Sequence, residues 1–162
     1  MTDTSQKEFI HPVEYEKASN AYLMAVVSVI AGMPLPVINV LASIGYYMAQ
    51  RKTVYFVRWH CIQAIIAQAI MIPFNSVAVV WTLAILFKNN NASHSIDNML
   101  GQTSLMYYWM YILFVVVFNI VEFFSVIITA GQVRKGKNVR WFLIANITDA
   151  ITSKENRDPY RL

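Results

Sequence analysis

Arg58 to Gln63 reads Arg-Trp-His-Cys-Ile-Gln. An imidazole, a thiol, a guanidinium and an amide this close together are the raw material of a nucleophilic or metal site. The spacing argues against both. Adjacent helical positions diverge by about 100°, so His60 and Cys61 do not form a nucleophile–base pair with each other. A metal needs more ligands, and the other histidines are His11 and His94, far along the chain. Cys61 is the single cysteine, so no intrachain disulfide forms. No Ser-His-Asp set, catalytic carboxylate pair or phosphate loop is present. The sequence predicts no catalytic residue, no metal, no cofactor and no enzyme.

A second set of polar residues is sparser. Glu122 is the only charge between Leu105 and Gly131, and Asn119 lies three positions before it. Helical spacing puts the two on one face. Gln68 and Asn75 are seven positions apart, on one stripe of another apolar run. An intramembrane acid is a functional-site candidate or a hydrogen-bonding residue that joins helices. Counted from the basic flanks, Glu122 lies about 13 Å deep and Gln68 about 15 Å deep at the helical rise. The two segments run antiparallel, so Gln68, Asn75, Asn119 and Glu122 are expected to face the protein interior.

The elements that must position these groups are long and apolar. Hydrophobic residues make up 57% of the 162-residue chain and charged residues 14%, against about 25% charged in soluble proteins. A soluble fold this small needs more charge to cover its surface. Three apolar blocks stand out, 21–49, 54–87 and 105–131. Each exceeds the roughly 20 residues that span a bilayer. The expectation is an all-α polytopic membrane protein with three to four transmembrane helices plus interfacial amphipathic helices. A polar segment, 1–20, precedes the membrane domain, 21–152, and a polar tail, 153–162, follows it.

Block 21–49 is interrupted by Gly-Met-Pro-Leu-Pro at 32–36. Two prolines break helix continuity there, leaving one kinked span or a hairpin of two short helices. Block 54–87 has a milder break at Pro-Phe-Asn-Ser, 73–76, and its first residues are amphipathic. Residues 140–151 show isoleucines at 144, 147 and 151, the spacing of an interfacial helix. Acidic residues among the first 20 positions argue against a cleaved signal peptide, so block 21–49 is expected to be retained.

The net charge of +4 is not a nucleic-acid signature, because the basic residues border the apolar blocks. Arg51, Lys52 and Arg58 follow one block, and Arg134, Lys135, Lys137 and Arg140 follow another. The loop 88–104 carries only Lys88 as a base. The positive-inside rule puts the two basic flanks and the C-terminus in the cytoplasm or its organellar equivalent. The N-terminus shares that side if block 21–49 is a hairpin and opposes it if the block crosses once. The Asn-Ala-Ser triplet at 91–93 matches a glycosylation acceptor. Tyr46, Tyr47, Tyr55, Trp59 and the aromatic run at 107–111 fit interfacial belts.

Phe56-Val57-Arg58-Trp59-His60, followed by Gln63-Ala64, resembles a signature of the Tic20-like superfamily. That superfamily comprises the membrane subunit of the chloroplast inner-envelope import translocon and its small bacterial relatives. Its members lead into a span with a similar Phe-Val-Arg-Phe motif, and here Trp59 replaces the second Phe. A Gly-basic turn and an amphipathic segment after the last span form a second match, carried by Gly136, Lys137, Arg140, Leu143, Ile144 and Ile147. Phe142 stands where the relatives have Pro. The resemblance covers roughly residues 20–152. It implies a non-enzymatic accessory subunit of a larger membrane complex, in protein translocation or membrane-protein biogenesis.

The functional expectation is therefore an accessory or scaffolding subunit in a bacterial inner membrane or an organellar inner membrane. Its partners would be the lipid bilayer and other membrane subunits, as a homo- or hetero-oligomer, with no nucleic acid. Arg58, Trp59, His60 and Gln63 would form an interface or docking motif where the helix enters the membrane. The alternative is a small oligomeric transporter or channel that works through Glu122.

Overall fold

The computed structural model describes residues 10–31, 36–88 and 97–152. These residues form five α-helices and no strand: α1 (Pro12–Ala31), α2 (Pro36–Gln50), α3 (Tyr55–Lys88), α4 (Asp97–Arg134) and α5 (Ile144–Thr152). Pro12 and Pro36 open their helices at the position where a missing N–H costs nothing. The α4 terminus is closed by a turn in which the amides of Lys135 and Lys137 both donate to the Gln132 carbonyl. That turn needs Gly136, whose φ of 81° lies in the left-handed region.

Side-chain pairs fix the directions. Tyr15 packs on Phe56 and Tyr22 meets His60, so α1 and α3 run parallel. Arg134 faces Glu16, and the Ser19 hydroxyl donates to the Ala130 carbonyl, so α1 and α4 run antiparallel. The Tyr46 hydroxyl donates to the Lys17 carbonyl, so α2 runs back along α1. Of the two forms open to block 21–49, the described helices take the hairpin. Gly32 to Leu35, which carry most of the predicted break, lie outside the described residues.

The core sits where α1 packs between its neighbours: Ala18, Ala21 and Tyr22 meet Phe56, Val57, Cys61 and Ala64 of α3 and Val126, Ala130 and Val133 of α4. Direct α3–α4 hydrogen bonds begin farther along, from Gln68–Glu122 to Thr82–Tyr108. The small residues Ala18, Ala21, Ala64 and Ala130 are each at most 2% exposed, which lets the backbones approach closely.

Two helical segments, Tyr55–Phe87 and Leu105–Arg134, are long and apolar enough to cross a membrane. The core helix of a soluble protein would also be apolar, but it would be covered. Only 6% and 17% of their most apolar windows are buried. Val80, Leu86, Phe87, Trp109, Leu113 and Phe124 all point outward. An outward apolar surface of this extent is unfavourable in water and favourable in lipid.

Four local expectations are corrected. Pro73 does not break α3, which runs through it. α4 holds the chain just past the proline, where Tyr111 donates to the Phe74 carbonyl and Asn75 pairs with Asn119. Residues 97–104 belong to α4 rather than to a loop, while the Asn-Ala-Ser triplet lies outside the described residues. The helix predicted over 140–151 begins at Ile144, after a turn in which Ala145 N donates to the Trp141 carbonyl. Its isoleucines do not share one environment: Ile144 is buried with Ala145, Thr148 and Thr152, whereas Ile147 and Ile151 are exposed.

Candidate functional site

Polar side chains converge at two levels of the bundle. The first is at the basic end. His60 and Gln63 are one turn apart on α3 and, like Tyr22 of α1, fully buried. Gln63 Nε2 donates to the Tyr22 hydroxyl at 2.9 Å and to the Val139 carbonyl at 3.2 Å. A hydroxyl that accepts from Gln63 has its own proton to give, and His60 Nδ1 lies 2.9 Å away. The pattern assigns the acceptor role to Nδ1 and the ring proton to Nε2. His60 Nε2 and Gln63 Oε1 have no hydrogen-bond partner among the described residues. One is a donor and the other an acceptor, on the same helical face.

Beside this cluster, α5 is clipped onto the start of α3. Trp59 is buried, and its indole N–H donates to Asp149 at 2.8 Å. Asp149 also pairs with Arg140, whose guanidinium lies over the Trp59 ring at 5.2 Å. Tyr55 bonds to Thr152, and the Trp141 indole donates to Thr129 of α4. Trp59 therefore departs from the expected lipid-facing belt. Its indole is spent on α5 because an aromatic with one polar edge satisfies that edge when buried. Arg58 remains at the rim and reaches the Arg51 carbonyl at 3.4 Å.

The second level lies deeper. Gln68 is buried and its amide donates to the Glu122 carboxylate. One step farther, Asn75 Nδ2 donates to Asn119 Oδ1 at 3.2 Å, and Asn119 Nδ2 donates back to Asn75 Oδ1 at 2.8 Å. Asn119 Nδ2 also reaches the Val115 carbonyl at 2.7 Å. Beyond them, Thr82 and Tyr108 lie 3.0 Å apart. The four residues selected from sequence are thus brought together as two cross-helix pairs. Each group finds its partner within the protein, which is what apolar surroundings require.

Chemically, the deeper level pairs its polar groups with each other, while the level at the basic end leaves His60 Nε2 and Gln63 Oε1 buried without a partner among the described residues. Cys61 is a buried free thiol. His60 Nδ1 is held by Tyr22, a tyrosine from another helix. Among the described residues no group of three or more His, Cys, Asp or Glu side chains comes together to hold a metal.

Sequence reasoning missed Tyr22 and Thr129, and it placed Trp141 and Asp149 on the interfacial helix without their partners Thr129 and Trp59. Asp149 had a readable signal, since it is the one acid in an otherwise apolar and amide-bearing stretch at 141–152. Tyr22 had a weaker one, a hydroxyl-bearing aromatic at the second position of an uncharged block. No family model matches the chain, and comparison with curated proteins and with solved structures finds no match.

Proposed function

We propose that the chain is a non-enzymatic accessory or scaffolding subunit of a larger membrane complex. In this reading α3 and α4 cross the bilayer, and the α1–α2 hairpin enters from the basic end, giving a four-helix membrane unit. Trp59 and Trp81 are about 33 Å apart along α3 at the helical rise, close to the roughly 30 Å of hydrocarbon. Arg51, Lys52, Arg134, Lys135, Lys137 and Arg140 gather at one end, which the positive-inside rule places in the cytoplasm or its equivalent. The described start of α1 and helix α5 then lie on that same side.

One observation carries the scaffolding reading. The polar residues at membrane depth are paired with each other, Gln68 with Glu122 and Asn75 with Asn119. Groups used in this way fix helix register and leave an apolar exterior for lipid or for other transmembrane subunits. The process involved, protein translocation or membrane-protein biogenesis, rests on the Tic20-like resemblance alone.

A second reading is a small oligomeric transporter or channel. It draws on the break between α1 and α2, since broken helices and nearby acids build transport sites. Glu122→Gln separates the two. A glutamine keeps an oxygen that accepts from Gln68, so scaffolding predicts intact assembly and activity. Transport through Glu122 predicts lost flux with assembly preserved.

A further inference from the structure

The charges at the basic end are not evenly matched. Lys17 is paired with Glu14, Arg134 with Glu16 and Arg140 with Asp149. Lys135 and Lys137 have no carboxylate within ion-pair distance among the described residues, and both side chains are exposed. They flank Gly136, whose left-handed φ turns the chain sharply and whose side-chain position faces the Tyr15 ring. The two lysines are therefore presented by a fixed turn rather than by a loose tail.

A few residues on, the chain presents an apolar wedge. Phe142 is 89% exposed and Leu143 is 75% exposed, with Ile147 and Ile151 also outward. α5 cannot turn these residues inward, because its other face, Ile144, Ala145, Thr148 and Thr152, is already buried. Trp59–Asp149 and Tyr55–Thr152 lock that orientation. The two lysines, unmatched among the described residues, lie five to eight positions along the chain from a rigid apolar wedge, and the pair of features matches one partner in both halves: an anionic phospholipid, with phosphate on the lysines and acyl chain on the wedge.

We propose that Lys135 and Lys137 form a binding site for the anionic headgroup of a phospholipid, with Phe142 and Leu143 seated against its acyl chains. This rests on the membrane reading above. The site selects lipid by charge, which goes beyond insertion into a bilayer as such. Native mass spectrometry of the full chain in mild detergent, titrated with phosphatidylglycerol or phosphatidylcholine, tests it. The intact chain binds phosphatidylglycerol in preference to phosphatidylcholine. Removing one lysine weakens that preference about fivefold, and Lys135→Gln with Lys137→Gln weakens it about thirtyfold. Phe142→Ser with Leu143→Ser weakens binding of both lipids and leaves the preference. An intact chain without preference, or a double-lysine variant that retains it, overturns the proposal. Inorganic phosphate that abolishes the preference also overturns it, in favour of a soluble-anion site. A chain that resists extraction by alkaline carbonate but shows no preference overturns this inference alone. A chain released by carbonate overturns the membrane reading as well.

Discussion

Replacing Gln68 by Leu removes the amide that donates to Glu122 and leaves a part-buried acid facing an apolar side chain between α3 and α4. Removing one partner of a buried hydrogen bond costs about 1–3 kcal/mol, because the remaining group loses its partner without regaining water. Glu122→Leu leaves Gln68 alone and costs a similar amount, about 1–2 kcal/mol. The double variant replaces both groups with apolar side chains that pack and need no partner. It is expected to cost less than the sum of the singles, with a coupling of about 0.6–2 kcal/mol, the range of hydrogen bonds between membrane helices. Equilibrium unfolding in mixed detergent micelles, followed by far-ultraviolet circular dichroism, gives the four free energies. A coupling under about 0.3 kcal/mol, the limit of additivity for independent sites, would refute the claim that this pair joins α3 to α4.

Three other perturbations probe separate contacts. Tyr22→Phe deletes the hydroxyl between His60 and Gln63 and should cost about 1–3 kcal/mol; a change within about 0.5 kcal/mol would place that hydroxyl outside the network. Trp59→Phe removes the indole donor to Asp149 and the larger ring under Arg140, so amide exchange should rise in α5 and stay unchanged in α3 beyond Gln68; unchanged α5 protection contradicts the clip. Single cysteines at Glu14 and Lys137, in a Cys61→Ser background, should react with an impermeant maleimide from the same membrane face; labelling from opposite faces contradicts the hairpin.

The long apolar runs of α3 and α4 were legible because hydrocarbon thickness imposes a length that few soluble helices share. The level of Gln68 and Glu122 was legible too, since rise per residue converts position into depth when both ends carry basic flanks. What sequence did not give was lateral neighbourhood. Nothing along the chain says that Tyr22 faces His60, because α1 and α3 meet across 38 positions of sequence. Pro73 looked like a break because its own helix loses a donor there, and the compensating contacts come from α4. Trp59 looked like a lipid-facing belt residue because its partner, Asp149, lies 90 positions away on a short helix. The extent of α5 was misplaced by four residues at its start, since the turn at 142–143 has a helix-compatible composition.

The central claim is that this helical unit works as part of an assembly and that Glu122 serves packing. The most direct measurement is extraction of the tagged chain from its own membranes in mild detergent, with mass determination and quantitative identification of what co-purifies, for the native protein and for Glu122→Gln. The account predicts a particle heavier than the single 18.6 kDa chain, with a fixed stoichiometry of membrane subunits that the substitution leaves unchanged. A monodisperse single chain carrying only lipid, in both forms, would contradict it.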